Sequence, residues 1–213
     1  MIAGATRVRR NVDERRAQLL ELGMRLFGER AYDDVSIDDI AREAGVSKGL
    51  LYHYFGGKRD FYVACVREAA GQLLARTAPD PSLPAPERAR AGIEAYLDFA
   101  EDHAGAYTAL MQSGIGHDPE VLAILQHARD EIVARMLEGM GLAEPRPLFR
   151  LAARSWVGQV EAACLEWLVR RDVPRARLVR LLLGGLFGTL LTAKSLDPEA
   201  PFAPPPLPTW AFE

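Results

Sequence analysis

Apolar positions recur at helical spacing along most of this chain, and no convincing two-residue alternation marks a strand. Ala17, Leu20, Met24 and Phe27 share one face, with Asn11 and Glu14 placed to cap the start of that helix and Gly28–Arg30 near its end. Ile37, Ile40, Ala41 and Ala44 define a short helix. Ser36 and Asp39 are spaced as a capping box at its start, and Asp38 and Asp39 lie in the first turn, where the helix dipole favours acids. Gly45 should end it, Val46 should plug the corner, and Ser47 should cap a second short helix carrying Lys48 to Tyr54. A longer helix is predicted from about Lys58 to Thr77, closed by Pro79, Pro81, Pro84 and Pro86. Further helices carry Ile93, Tyr96, Leu97 and Ala100, then Ala106, Tyr107, Leu110 and Met111, closed by Gly114 and Gly116. Pro119 opens one running from Val121 to Leu137 and stopping around Gly139–Gly141; Pro145 and Pro147 open one through Leu151, Trp156, Val160, Cys164 and Leu168; Pro174 opens the last, through Leu178, Leu182, Leu186 and Leu190. The pattern is that of an all-α protein.

Composition narrows the class. The 213 residues are 49% hydrophobic and 26% charged, as in a soluble globular chain of one unit or two small helical domains. A formal net charge of −3 excludes a polycation, so any affinity for nucleic acid must come from local charge. Arg7, Arg9 and Arg10 stand without acids in the first ten residues. Met1 to Arg10 is expected to be a mobile basic arm, either merely solvated or touching phosphate or the minor groove. The apolar run Leu181 to Ala193, bounded by Arg180 and Lys194, is shorter than the ~18–20 residues of a spanning helix and reads as a buried helix; no membrane partner is expected. No signal-peptide pattern precedes it. Cys65 and Cys164 form no metal or redox motif and read as reduced, buried thiols of a cytoplasmic protein. The proline-rich tail from Asp197 is expected to be extended or disordered, with Trp210 and Phe212 available to dock on the body.

Two short helices joined by a tight turn suit one task, presenting a short helix to the DNA major groove. Val46, Leu51 and Phe55 should face inward; Ser47, Lys48, Tyr52, His53 and Tyr54 can face outward. Lys48 and His53 could reach base edges, and Leu50 a thymine methyl. Gly49 lets the backbone come close to DNA or to a neighbouring helix. The alternative for Tyr52 and Tyr54 is packing on the first helix, and for Lys58 a solvated charge.

Leu26-Phe27-Gly28-Glu29-Arg30, Tyr32, Val35-Ser36-Ile37, Ile40-Ala41, Ala44-Gly45-Val46-Ser47, Gly49, Leu51, Tyr52, Tyr54-Phe55, Lys58 and Phe61 together resemble the DNA-binding domain of the TetR family of bacterial transcriptional regulators. The resemblance covers the first third of the chain. It implies an N-terminal three-helix helix-turn-helix domain with its basic arm (residues 1–57), a C-terminal helical effector-binding and dimerisation domain (58–196) and the tail (197–213). It implies a sequence-specific regulator, a repressor released from a palindromic double-stranded operator by a small molecule. By resemblance Ser36, Lys48, Tyr52, Tyr54 and Lys58 are the DNA contacts; Arg9, Arg10, Ser47, Gly49, Leu50 and His53 complete the candidate set. The family forms homodimers through the last two long helices of each subunit. Here Gly158, Ala162, Ala163, Gly184, Gly185 and Gly188 would permit close approach across that interface, or would fit neighbours inside one subunit. The effector is expected to be small and apolar or amphipathic, touching residues among Tyr96, Phe99, Tyr107, Met111, Trp156 and Gln159, with Gln159 and Glu161 as polar anchors. Two rival classes are a helical adaptor and a helical enzyme. His103, His117, His127, Asp118 and Cys164 would be the catalytic candidates, but they show no metal-ligand spacing, nucleophile motif or phosphate loop; no catalytic residue, metal or cofactor is expected.

Overall fold

The structure, a computed structural model, describes residues 3–112, 118–142 and 146–203, with side chains from Asp13 onward. It consists of α1 (Ala3–Glu29), a single 3-10 turn (Tyr32–Asp34), α2 (Ile37–Ala44), α3 (Lys48–Phe55), α4 (Lys58–Arg76), α5 (Ala85–Asp102), α6 (Ala104–Gln112), α7 (Pro119–Gly139), α8 (Pro147–Arg170) and α9 (Arg175–Leu196). No strand occurs among the described residues, in keeping with the all-α reading. The expected mobile arm is corrected: α1 already begins at Ala3, and Asn11 is an interior residue. No proline stands between Ala3 and Asn11 to break the helix. The upstream backbone extends the helical hydrogen-bond ladder, and an Asn11 cap would end it.

The chain packs as two units. The first comprises the chain through Gly71 together with His103–Ile124, so it contains α1 to α3, most of α4, α6 and the start of α7. Leu20, Met24 and Phe27 of α1 are buried as their spacing predicts, while Ala17 is exposed. Phe55 meets Phe61 edge to face with centroids 4.8 Å apart, and Phe27 meets Tyr62 at 4.9 Å, so aromatic rings join α1, α3 and α4. Burial pushes the Tyr62 phenol up to about 12 and raises the Cys65 thiol as well. Glycine sets the closest approaches. A Cβ on Gly23 would come 2.5 Å from Cys65 Sγ, and one on Gly105 would come 2.1 Å from the Gly28 carbonyl oxygen, so α6 lies directly on the backbone of α1. Arg59 of α4 donates to both oxygens of Asp118, at 2.7 and 2.8 Å. Asp118 also accepts from the Glu120 amide at 2.9 Å, so one carboxylate caps α7 and anchors it to α4. The Arg59 hydrogen bond holds that carboxyl below the usual aspartate range.

The second unit comprises Gln72–Asp102 and the described residues from Leu125 onward. α8 packs along α9, with α5 against both. Phe149, Ala153, Cys164, Leu182 and Leu183 are almost wholly buried. Trp156 Nε1 donates to the Leu182 carbonyl at 2.8 Å, and Trp167 Nε1 donates to Val173 at 2.7 Å, so both indoles bury their rings while satisfying their one donor. Arg175 of α9 donates to Glu101 and to the Glu94 carbonyl, both at 3.0 Å, and also pairs with Asp98, fixing the start of α9 on α5. α9 is, among the described residues, the one helix long and apolar enough to cross a membrane, with 22 residues and an 18-residue stretch of mean hydropathy 1.4. Its buried face belongs to the core of the second unit. Its outward face carries Leu181, Gly184, Gly188 and Leu191 at helical spacing, with Leu181 61% exposed.

The tail expectation is corrected in part. Residues 197–203 fold back: Phe202 is buried against Phe149 with centroids 5.5 Å apart, and Lys194 Nζ donates to the Ala200 carbonyl at 2.6 Å. An apolar ring in reach of another outweighs the loop preference of its proline neighbours. Trp210 and Phe212 lie outside the described residues.

Candidate nucleic-acid interface

The local chemistry of residues 36–56 fixes two helices at a sharp corner. Ser36 Oγ accepts from the Asp39 amide at 3.1 Å while the Ser36 amide donates to Asp39 Oδ2 at 3.0 Å, which is the reciprocal capping box its spacing predicts. Ser36, then Arg42, hold the Asp39 carboxyl far below the usual range. Arg30 reaches the same carboxylate at 3.5 Å. At the other end Gly45 adopts φ 62, ψ 34. The Gly45 amide donates to Arg42 at 3.2 Å and the Val46 amide to Ala41 at 3.0 Å, the paired bonds of a Schellman stop that favours glycine in the left-handed position. Ser47 then caps α3, its Oγ accepting from the Leu50 amide at 3.3 Å.

α3 divides as the sequence predicts, with two refinements. Leu51 and Phe55 are buried, whereas Val46 is only half-buried. Ser47, Lys48, Gly49, Tyr52 and His53 are exposed, Tyr52 to 52%; Leu50 and Tyr54 are half-buried. Tyr52 therefore does not pack away on α1. The exposed set forms one outward patch at the start and along one side of the helix, and Ser36 is exposed at the start of α2. Lys58 is half-buried, its Nζ 4.2 Å from the centroid of Tyr32 and 3.4 Å from the Asp33 carbonyl. That is not a plain solvated charge, because the Tyr32 ring and the Asp33 carbonyl orient the ammonium while leaving the residue half-buried. Arg9 and Arg10 lie on α1 where only the backbone is described.

Electrostatics here differ from those of a basic patch. Residues 30–58 carry four cations (Arg30, Arg42, Lys48, Lys58) and five acids (Asp33, Asp34, Asp38, Asp39, Glu43), a net charge of −1. Lys48 of α3 pairs with Asp38 of α2, and Arg42 pairs with Asp39. Neither the Lys48–Asp38 pair nor the Lys58–Tyr32 contact has a sequence signature. They join residues that only the crossing of helices brings together, at separations outside the i,i+3 and i,i+4 rules.

The effector candidates divide between the units. Tyr96, Phe99, Trp156 and Gln159 belong to the second, the first three buried. Tyr107 and Met111 are on α6, in the first. Gln159 lies over Gly185, where a Cβ would sit 2.4 Å from its Oε1, and Glu161 accepts from Arg129 at 2.7 Å. A groove of about 600 Å³ in the first unit runs along Phe27, Arg30, Tyr32, Tyr62, Thr108 and Gln112, touching none of these candidates. Of the enzyme candidates, Asp118 is held by Arg59, Cys164 is buried in the second unit, and His117 lies outside the described residues. Among the described residues no three His, Cys, Asp or Glu side chains converge as a metal site requires.

Comparison with known proteins accounts for both units. Residues 19–65 match the model of bacterial regulatory proteins of the tetR family, and residues 86–188 match the tetracyclin repressor-like C-terminal domain. A tetR-family transcriptional regulator from Streptomyces coelicolor, solved by crystallography, is 32% identical and superposes with a TM-score of 0.81 over 88% of this chain and 85% of its own. The HTH-type transcriptional activator FasR of Mycolicibacterium smegmatis is 33% identical over 120 residues, a match spanning 55% of each protein. The HTH-type transcriptional regulator BetI of Stenotrophomonas maltophilia is 28% identical over 158 residues, 71% of this chain and 80% of that protein. With its capped recognition corner and both halves accounted for, the chain belongs to the TetR family of helix-turn-helix transcriptional regulators, a family of regulators and not of enzymes.

Proposed function

We propose that this regulator is a cytoplasmic repressor that binds a palindromic operator as a twofold dimer and is released by a small apolar or amphipathic effector. The observation that carries the DNA reading is the outward face of α3, where Ser47, Lys48, Gly49, Tyr52 and His53 stand exposed on a helix capped at both ends. Lys48 and His53 read base edges, and Ser36, Tyr52, Tyr54 and Lys58 hold phosphates. Residues 1–57 are the reading head, 58–196 the effector and dimer body, and 197–213 the tail. The dimer reading is supported by the glycines of α8 and α9: a Cβ on Gly158, Gly184 or Gly188 would meet nothing within 4 Å. Those three have no use inside the subunit that alanine would not serve. They lie beside exposed Leu151 and Leu181 and leave room for a second copy.

Release works through α4, whose Phe61 packs on Phe55 of α3 and whose end, through Arg76, pairs with Asp102 at 2.6 Å in the second unit. An effector that binds two settings of that helix with affinities differing by ~1–3 kcal/mol changes operator affinity by the same factor. One observation favours a second sign of regulation: FasR, 33% identical, is an activator by name. A transcription assay from the bound promoter separates the two, with loss of transcription on adding the protein supporting repression.

The binding test uses duplexes selected from a random pool by the wild-type protein. Affinity is measured by fluorescence anisotropy across a salt series. The expected result is a steep log–log salt slope, lowered by about 1 in Lys58→Ala with selected and random DNA weakened alike. A flat salt dependence overturns the DNA reading; an unchanged slope in Lys58→Ala overturns the phosphate role of that residue.

A further inference from the structure

Among the ion pairs of the described residues, Asp38 is the acid whose carboxylate holds a cation of α3. It lies in the first turn of α2, Lys48 is the first residue of α3, and the two pair across the corner. Both side chains are more than half exposed, 55% and 59%, so the pair sits on the surface that faces DNA and not in the core. Asp39, its neighbour, is instead consumed by the Ser36 capping box and by Arg42.

From this we infer that Asp38 sets specificity by positioning Lys48, a conclusion that rests on the DNA-binding reading above. An ammonium has three donors, so Lys48 can give one to Asp38 and keep another for the acceptor edge of a purine. Tethering removes much of the freedom of a long side chain before binding, and at the right base the pair stays intact and gains a contact. On other DNA the same tether keeps Lys48 from swinging to a phosphate, and the Asp38 charge faces the backbone unfavourably. The net charge of −1 over residues 30–58 makes this plausible in magnitude, since no excess of cations masks the effect of one carboxylate. An exposed pair is weak enough to be tuned by a single base contact.

The experiment compares Asp38→Asn with Glu43→Gln, the same loss of charge at another exposed position of α2. Each is titrated with a selected duplex and with a random duplex over a salt series, and thermal unfolding verifies the fold. Asp38→Asn is expected to raise affinity for the random duplex about three- to tenfold and steepen its salt slope by about 1, and to leave the selected duplex within twofold. Glu43→Gln is expected to shift both duplexes equally and by less. In a Lys48→Ala background the selective effect of Asp38→Asn should vanish. Equal gains on both duplexes, a match between the two acid variants, or a selective effect surviving Lys48→Ala overturns the inference while leaving DNA binding standing. Wild-type protein with no salt-dependent binding to any duplex overturns the DNA reading and this inference with it.

Discussion

Packed glycines at helix contacts in the first unit contrast with three open ones on the outer face of the second. In the first, Gly23 and Gly105 mark places where helices touch so closely that no side chain fits. In the second, Gly158, Gly184 and Gly188 face open space. The first unit is thus held by stereochemistry: backbone against backbone, caps against amides, one carboxylate against one guanidinium. The second unit is held by apolar helices, two indole donors and the ion pairs of Arg175 and Arg129, with exposed leucines left over on α8 and α9. A head that must present a few groups within a fraction of an ångström needs the first kind of restraint. If the second unit shifts between settings and joins a partner, as proposed, the second kind serves it.

The sharpest way to break this contrast is to fill the first unit's close contacts. Gly105→Ala places a methyl 2.1 Å from a backbone oxygen of α1 that cannot rotate away, so the helices must part. The expected cost is at the top of the overpacking range, about 3 kcal/mol. Gly23→Ala meets Cys65 Sγ and the end of the Phe61 ring, which are side chains, and should cost less, about 1–3 kcal/mol. Urea unfolding reads both as a lower midpoint at unchanged slope. If Gly105→Ala unfolds like wild type, α6 does not lie on α1 in the way described.

Legibility followed the same division. Ser36, Asp39, Gly45 and Ser47 were readable because a cap or a left-handed turn acts between residues two to four apart, and the chain displays both partners together. Leu51 and Phe55 followed from periodicity. The start of α1 was misread because Asn11 can cap a helix but does so only where the backbone stops upstream. Phe202 on Phe149 and Lys58 on Tyr32 were hidden for another reason. They are tertiary contacts between residues that carry no mutual spacing. The effector candidates show the limit of periodicity most plainly: it places Tyr96, Tyr107 and Trp156 at helical spacing, and all three are buried, but it does not say that Tyr107 packs with the first unit. Nor does it say what Trp156 does with its N–H, which the Leu182 carbonyl already takes.

A smaller effect sharpens the account of the head. Ser36→Ala removes one half of the capping box and is expected to cost about 1 kcal/mol, read as a drop in Tm. Asp39 supplies the other half, and its pH dependence has a definite sign. Its folded carboxyl titrates below the ordinary aspartate value, held there first by Ser36. The stability it contributes is therefore full above the unfolded value of about 4 and is lost as pH falls below that, toward the folded value. Asp39→Asn should flatten that part of the acid unfolding curve and leave the curve near neutrality parallel to wild type. A variant with the same acid limb as wild type would show that the carboxylate is not engaged.

The least disruptive substitution tests the other side of the contrast. Gly184→Ala adds a methyl where nothing lies within 4 Å, on the exposed stripe of α9 with Leu181 and Leu191. In an isolated subunit the only consequence is conformational: alanine loses less freedom than glycine on entering a helix, which favours the fold by about 0.5–1 kcal/mol. Across a close helix pairing between subunits the same methyl has no room. The two readings then predict opposite signs at different concentrations. At concentrations low enough that subunits separate, Gly184→Ala should unfold slightly later than wild type. At micromolar protein it should unfold earlier and sediment with a weakened dimer, because association contributes to stability only when two copies meet. Were the substitution stabilising at both concentrations, with wild-type sedimentation, this stripe would not be where the subunits join. The open glycines of α8 and α9 would then be incidental, and only those packed against a neighbour, such as Gly23 and Gly105, would carry a structural purpose.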